Sequence, residues 1–137
     1  MKKISSDNIR GEIRKIWPFV SFIWLADEIY LSPSFDEVND FLAQSTLDKQ
    51  EFIEHSKDCD DFALQLHAEA KNYFLEKDDL KYPLAFGECF ATKWFGKVLK
   101  HNGNISICED GIYLIEPQAD LIRHGNATDD NILIVKM

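Results

Sequence analysis

A cysteine at the start of a strongly periodic apolar run constrains this chain more than any other feature. In Asp58-Cys59-Asp60-Asp61-Phe62-Ala63-Leu64 a polar stretch gives way to apolar residues, and Phe62, Ala63, Leu66, Ala70, Tyr73 and Phe74 then recur at spacings of three and four. That period predicts a helix with one buried face, capped by Asp58 and carrying Cys59 in its first turn. Free backbone N–H groups and the helix dipole favour a thiolate at such a position. The carboxylates of Asp58, Asp60 and Asp61 oppose it, because like charges disfavour one another. A buried, purely structural thiol is the alternative reading of the same residue.

Before this helix the chain reads as helical throughout. Pro18 fits the first turn of a helix over about 18–29, Leu31-Ser32-Pro33 breaks it, and Ser34 with Glu37 forms a capping box for a second helix with Phe35, Val38, Phe41 and Leu42 inward. Ser45 or Thr46 caps a short third one carrying Phe52 and Ile53. After Pro83 the pattern turns to strands: Leu84 to Thr92, a second run from Lys93 to Lys100, the alternating pair Asn104–Cys108 and Ile112–Ile115 around Glu109-Asp110-Gly111, and finally Ile132–Val135. Helices first and strands second predict an α+β domain, with a helical N-terminal half and a small antiparallel sheet. Length predicts a single domain over 1–137, with 1–15 a flexible arm or an exposed helix.

Charge and composition narrow the partners. With Lys and Arg outnumbered, the formal net charge is −9 at pH 7. No cationic surplus is available to replace the counterions of a nucleic acid, so a nucleic-acid partner is not expected. A basic protein partner, or a divalent cation among acidic side chains, suits the charge better. The cysteines at 59, 89 and 108 show no CxxC spacing, which predicts free thiols in a reducing cytoplasm. The longest apolar stretch, Ile16 to Ala26, is far below the roughly 20 residues of a membrane helix, and the scattered glycines hold no phosphate-binding motif. Neither a membrane partner nor an organic cofactor is expected.

Two further residues can join Cys59. His101 precedes an alternating strand, and Glu116 ends the strand that returns through the Asp110-Gly111 turn, so a hairpin brings them together. Thiol, imidazole and an orienting carboxylate are the parts of nucleophilic cysteine catalysis. His55 lies on a polar stretch, His67 sits two helical turns from Cys59, and His124 falls in a loop, while Cys89 and Cys108 lie within apolar strand patterns.

The segments Asp58-Cys59-Asp60-Asp61-Phe62-Ala63, His101-Asn102-Gly103-Asn104 and Leu114-Ile115-Glu116-Pro117-Gln118, in that order, resemble a small papain-like cysteine peptidase family. That family is known from the C-terminal domain of a mushroom agglutinin and from bacterial and phage proteins. The resemblance implies a compact papain-like fold with Cys59 as nucleophile, His101 as base and Glu116 as the acidic third member. Asn104 takes the position three residues after the base. It also implies calcium or another divalent ion near the cleft, for which Asp58, Asp60 and Asp61 are the ligands. Two positions depart from the pattern. Asn102 follows the base where a small apolar residue is usual, and Ile53 stands where papain has its oxyanion glutamine, leaving the Cys59 backbone N–H with the side chain of Gln50 or Gln118 as donors. The function implied is a cysteine peptidase or related thiol hydrolase acting on a protein or peptide substrate. The alternatives are an inactive papain-like scaffold acting as a binding or interference protein, of phage origin, and acyl transfer of the transglutaminase or deamidase type.

Overall fold

Pro18 closes a helix instead of opening one. In the computed structural model, which describes all residues from Met1 to Met137, strand β1 (Lys2–Ser5) runs directly into helix α1 (Ser6–Ile16). The Ser5 hydroxyl caps α1 by accepting from the Asn8 N–H at 3.2 Å. Ile9 and Ile13, four apart on one face, are fully buried. A residue before proline is pushed out of the helical region, and Trp17 accordingly ends α1 at φ −122°, ψ 81°. The exposed arm or helix expected over 1–15 is thus a strand and a helix with a buried stripe, and Ile9, Ile13 and Ile16 were its signal.

The helix expected over 18–29 does not form. Those residues supply β2 (Phe22–Trp24) and the start of β3 (Ile29–Ser32). β2 lies parallel to the last strand, β8 (Asn131–Lys136), with Phe22 opposite Ile134 and Trp24 opposite Lys136. β3 pairs antiparallel with β1. The competing interaction is non-local: Ser21 N–H donates to Leu133 O and Met137 N–H to Trp24 O, partners more than a hundred residues away. Strand formation of that kind leaves little local trace.

Helix α2 (Phe35–Gln44) begins at the capping box, with the Ser34 N–H donating to Glu37 Oε2 at 2.7 Å and the Glu37 N–H to Ser34 Oγ at 3.1 Å. The third short helix reduces to one 3-10 turn at Leu47–Lys49, and Phe52 and Ile53 stay half exposed. Helix α3 spans Cys59–Asp78 and starts where the cysteine motif predicts. The remaining strands are β4 (Phe86–Trp94), β5 (Lys97–Cys108), β6 (Gly111–Glu116) and β7 (Leu121–His124). With β2 and β8 they form a six-stranded sheet in the order β2-β8-β4-β5-β6-β7, antiparallel except for β2 against β8. The expected architecture, a papain-like fold with a helical N-terminal half and a small antiparallel sheet, is therefore corrected. The N-terminal half contributes three strands, and the sheet is six-stranded, mixed and the body of the molecule.

The sheet separates two apolar cores. On β6, Ile112 and Leu114 join Ile9, Ile13, Trp17 and Trp94 on the α1 side, while Tyr113 and Ile115 join Phe41, Phe62, Leu66 and Phe74 under α2 and α3. Residues of alternating facing along a strand are what a sheet buried on both sides requires. Polar contacts fix α3 in place. The buried Asn104 amide donates to Ala63 O at 2.8 Å and Gly87 O at 3.1 Å, and His67 Nδ1 meets Glu88 Oε2 at 2.8 Å. No helix is long and apolar enough to cross a membrane.

Candidate functional site

The β4–β5 turn and the end of β6 build a cleft of about 250 Å³, walled by Trp94, Phe95, Leu99, His101, Glu116 and Leu121. Register explains the central pair. Asn104 faces Ile115 across β5 and β6, which sets Glu116 opposite Gly103, two residues from His101 on the same face. His101 Nε2 lies 2.6 Å from Glu116 Oε2, and both side chains are largely buried, 12% and 15% exposed. Trp94 Nε1–H donates to the same oxygen at 2.9 Å, and the Gln118 backbone N–H donates to Oε1 at 3.2 Å. The Trp94 ring packs 5.3 Å from the imidazole. It can do so because residue 103 is glycine: a Cβ there would stand 2.4 Å from the indole. Burial alone would raise the Glu116 pKa, but the hydrogen bond and charge of His101, with the Gln118 and Trp94 bonds, outweigh it and hold the carboxyl below its usual range.

Cys59 belongs to a separate element. It opens α3, half-buried, and its Sγ is approached by the Asn102 amide nitrogen at 3.8 Å. No hydrogen bond joins Sγ to His101, whose ring nitrogen Nε2 is committed to Glu116 and whose Nδ1 bonds to nothing in the protein. The structure thus brings together His101 and Glu116 and sets the Asn102 amide against the sulfur. The other thiols are sealed: burial raises the Cys108 pKa to about 12 and the Cys89 pKa further still. Iodoacetamide at pH 8 should therefore label Cys59 and leave Cys89 and Cys108 unmodified in the folded protein, as site-resolved mass spectrometry would read. Labelling of all three alike would contradict the burial of Cys89 and Cys108.

The remaining candidates separate by location. Gln50 Oε1 is engaged by the Lys57 ammonium on the exposed loop. Asn104 clamps α3 to the sheet and is fully buried. Gln118 enters through its backbone, not its side-chain amide. Asp58, Asp60 and Asp61 do cluster, each offering a carboxylate oxygen within 4.8 Å of the others. The Asp61 carboxylate accepts the Asp58 N–H at 3.1 Å. Asp58 is pushed up to about 6, chiefly by its hydrogen bond with Asp60, then by burial and by Asp61. Trp94 and Asn102 were not anticipated. Trp94 was legible only as an apolar anchor, and Asn102 only as a departure from a pattern.

Neither a protein-family model nor a curated protein matches the sequence. Solved structures do. The PSL1a-E64 complex matches with a TM-score of 0.82 at 20% identity, over 98% of this chain and 50% of that one. Polyporus squamosus lectin bound to the human-type influenza-binding epitope Neu5Aca2-6Galb1-4GlcNAc matches with a TM-score of 0.79 at 20% identity, over 98% of this chain and 49% of that one. The chain shares its fold with half of a lectin chain. At this identity the likeness establishes the fold and nothing finer. The assignment to the papain-like cysteine peptidases is accordingly withdrawn, since the likeness at 20% identity carries the fold alone and one of these two structures is a glycan-bound lectin. With it go the peptidase and thiol-hydrolase function, the inactive papain-like scaffold and the acyl-transfer reading. The sequence offered His101 and Glu116 as partners of Cys59. The hairpin fixes those two to each other, and nothing in a strand register fixes either to the sulfur of a separate helix.

Proposed function

We propose that this chain is a ligand-binding domain and that its ligand is a glycan seated in the cleft beside His101 and Glu116. The observation that carries the reading is the commitment of the polar groups. Both Glu116 oxygens already accept protein hydrogen bonds and His101 Nε2 is bonded to one of them, so the pair holds a fixed imidazole whose Nδ1 is left for a partner. Leu99 and Leu121, 37% and 54% exposed, supply apolar surface for the C–H faces of a sugar. Few, fixed polar groups on an apolar wall are the usual make-up of a small-ligand site. The glycan held by one of the structural neighbours supports the choice of ligand class. Calorimetric titration with sialylated and neutral oligosaccharides tests it: saturable binding is expected, weakened roughly tenfold or more by His101→Ala, which removes the oriented ring nitrogen. No heat with any glycan, or equal binding by the variant, would refute the assignment. The net charge of −9 favours one second reading, a basic protein docked on the acidic surface, whose affinity would fall steeply with salt.

We further propose that Asp58, Asp60 and Asp61 hold a calcium-type ion. Their oxygen donors suit a hard cation, and the proton through which Asp58 bonds to Asp60 is what a bound cation would displace. The sign of the pH effect follows. Asp58, at about 6, is mostly ionised at pH 7 and mostly protonated at pH 5. Calcium affinity should thus fall about tenfold between those values, because the ion must displace a proton. Calcium titrations followed by melting temperature at the two pH values would check this, and Asp60→Asn should abolish the response.

A further inference from the structure

The net charge of −9 conceals one local exception. A groove of about 230 Å³ lies between the last turns of α3 and the segment that leads into β4. Its walls are Lys71 and Leu75 on the helix and Leu80, Lys81, Tyr82 and Pro83 on the segment, and no carboxylate lines it. It shares no residue with the cleft beside His101. The segment is tied to β3: the Leu31 N–H donates to Pro83 O and the Ala85 N–H to Leu31 O, each at 2.8 Å. Apolar surface is open here, because Leu75 is 54% exposed and Leu80 and Pro83 are only half-buried.

The cations around this groove are uncompensated. Lys71 and Lys81 line it, and Lys3 reaches its edge from β1, with Nζ 3.4 Å from the Tyr82 hydroxyl and 4.6 Å from the ring centroid. None of these lysines takes part in an ion pair. Asp78 and Asp79 follow at the end of α3 without lining the groove, and Lys77 is turned onto the Tyr73 ring at 5.6 Å. The Tyr82 oxygen accepts from Lys3, which leaves its own O–H proton free to be donated. The acidity of the rest of the chain acts weakly on this spot, since charges beyond about 8 Å are largely screened at physiological salt.

We propose that this groove is a second binding site, for a short-chain fatty carboxylate: the head at Lys71, Lys81 and the Tyr82 O–H, the hydrocarbon chain over Leu75 and Leu80. Lys3, beside the Tyr82 hydroxyl, adds to the positive potential at the head. Unpaired ammonium groups and a spare O–H call for an anion, and the open leucine surface calls for an apolar chain attached to it. The volume, below the roughly 300 Å³ at which drug-sized pockets begin, limits the occupant to a single short chain.

Amide chemical-shift mapping on the full chain tests the site with octanoate, its neutral counterpart octanol and the chainless anion acetate. Saturable shifts at Leu75, Tyr82 and Leu84 are expected with octanoate, and binding roughly tenfold weaker with either of the others. Lys71→Gln and Lys81→Gln, both at exposed positions, should each weaken octanoate roughly threefold. Leu75→Ser should weaken it roughly fivefold, whereas Lys77→Gln, outside the groove, should leave it unchanged. Octanol bound as tightly as octanoate, no saturable shift at these residues, or unaltered binding by both lysine variants would overturn the proposal. Co-sedimentation with phosphatidylglycerol vesicles without any binding of octanoate would overturn it too, and would make the lysines a membrane-surface contact.

Discussion

Asp130→Ala is expected to destabilise the fold by about 3–5 kcal/mol, since removing one partner of a buried pair strands the other. The Asp130 side chain is fully buried against Arg123, whose two terminal nitrogens both donate to it. The same carboxylate accepts the Phe95 N–H at 3.0 Å and the Asn126 N–H at 3.1 Å. Alanine would leave a guanidinium and two backbone donors without partners at once. For a domain of this size the loss corresponds to a fall in melting temperature of roughly 10 °C or more. Asp130→Asn, which keeps the shape but not the charge, should cost about half as much. The consequence reaches the cleft, because Phe95 lines it, sits at φ 49° and is covered by Arg123 at 4.0 Å. Thermal melts of the two variants check the order, and a shift of only one or two degrees for alanine would show that the loop does not depend on Asp130.

Glu116→Ala should be nearly as costly, about 3–4 kcal/mol, because three donors lose their acceptor. These are His101, the Gln118 N–H and the indole N–H of Trp94, which is 4% exposed and has no water to turn to. The pH dependence distinguishes this from a simple packing defect. The Glu116 pKa is lower in the fold than its ordinary 4.5. Its stabilisation is therefore fully present above that value and is lost as the pH falls through the lower, folded one. The gap between wild type and Glu116→Ala, measured by denaturant unfolding, should be widest at neutral pH and should narrow below pH 4. A gap independent of pH would mean that the charge contributes nothing.

Much of the site was legible because it is local. The Asp110-Gly111 turn and the alternation on either side fix the β5–β6 register, and that register alone puts His101 diagonal to Glu116. The capping box at Ser34 and the start of α3 at Cys59 were legible for the same reason. Contacts across the sheet were not. Trp94 reaches Glu116 only because Gly103 makes room for its ring, and neither residue signals this. β2 takes its hydrogen bonds from β8 at the far end of the chain, so its apolar run read as a helix. The three acidic residues around Cys59 were visible as a cluster, but whether the thiol meets an imidazole depends on how α3 docks on the sheet. There the buried Asn104 makes the clamp, and the Asn102 amide approaches the sulfur.

The function proposed above is ligand binding without cleavage of a covalent bond. Digestion of a degenerate peptide library by wild type and Cys59→Ala, with calcium and reductant present and products identified by mass spectrometry, tests that most directly. Identical, uncleaved libraries in both samples are predicted. Products formed by the wild type and absent with Cys59→Ala would contradict the claim.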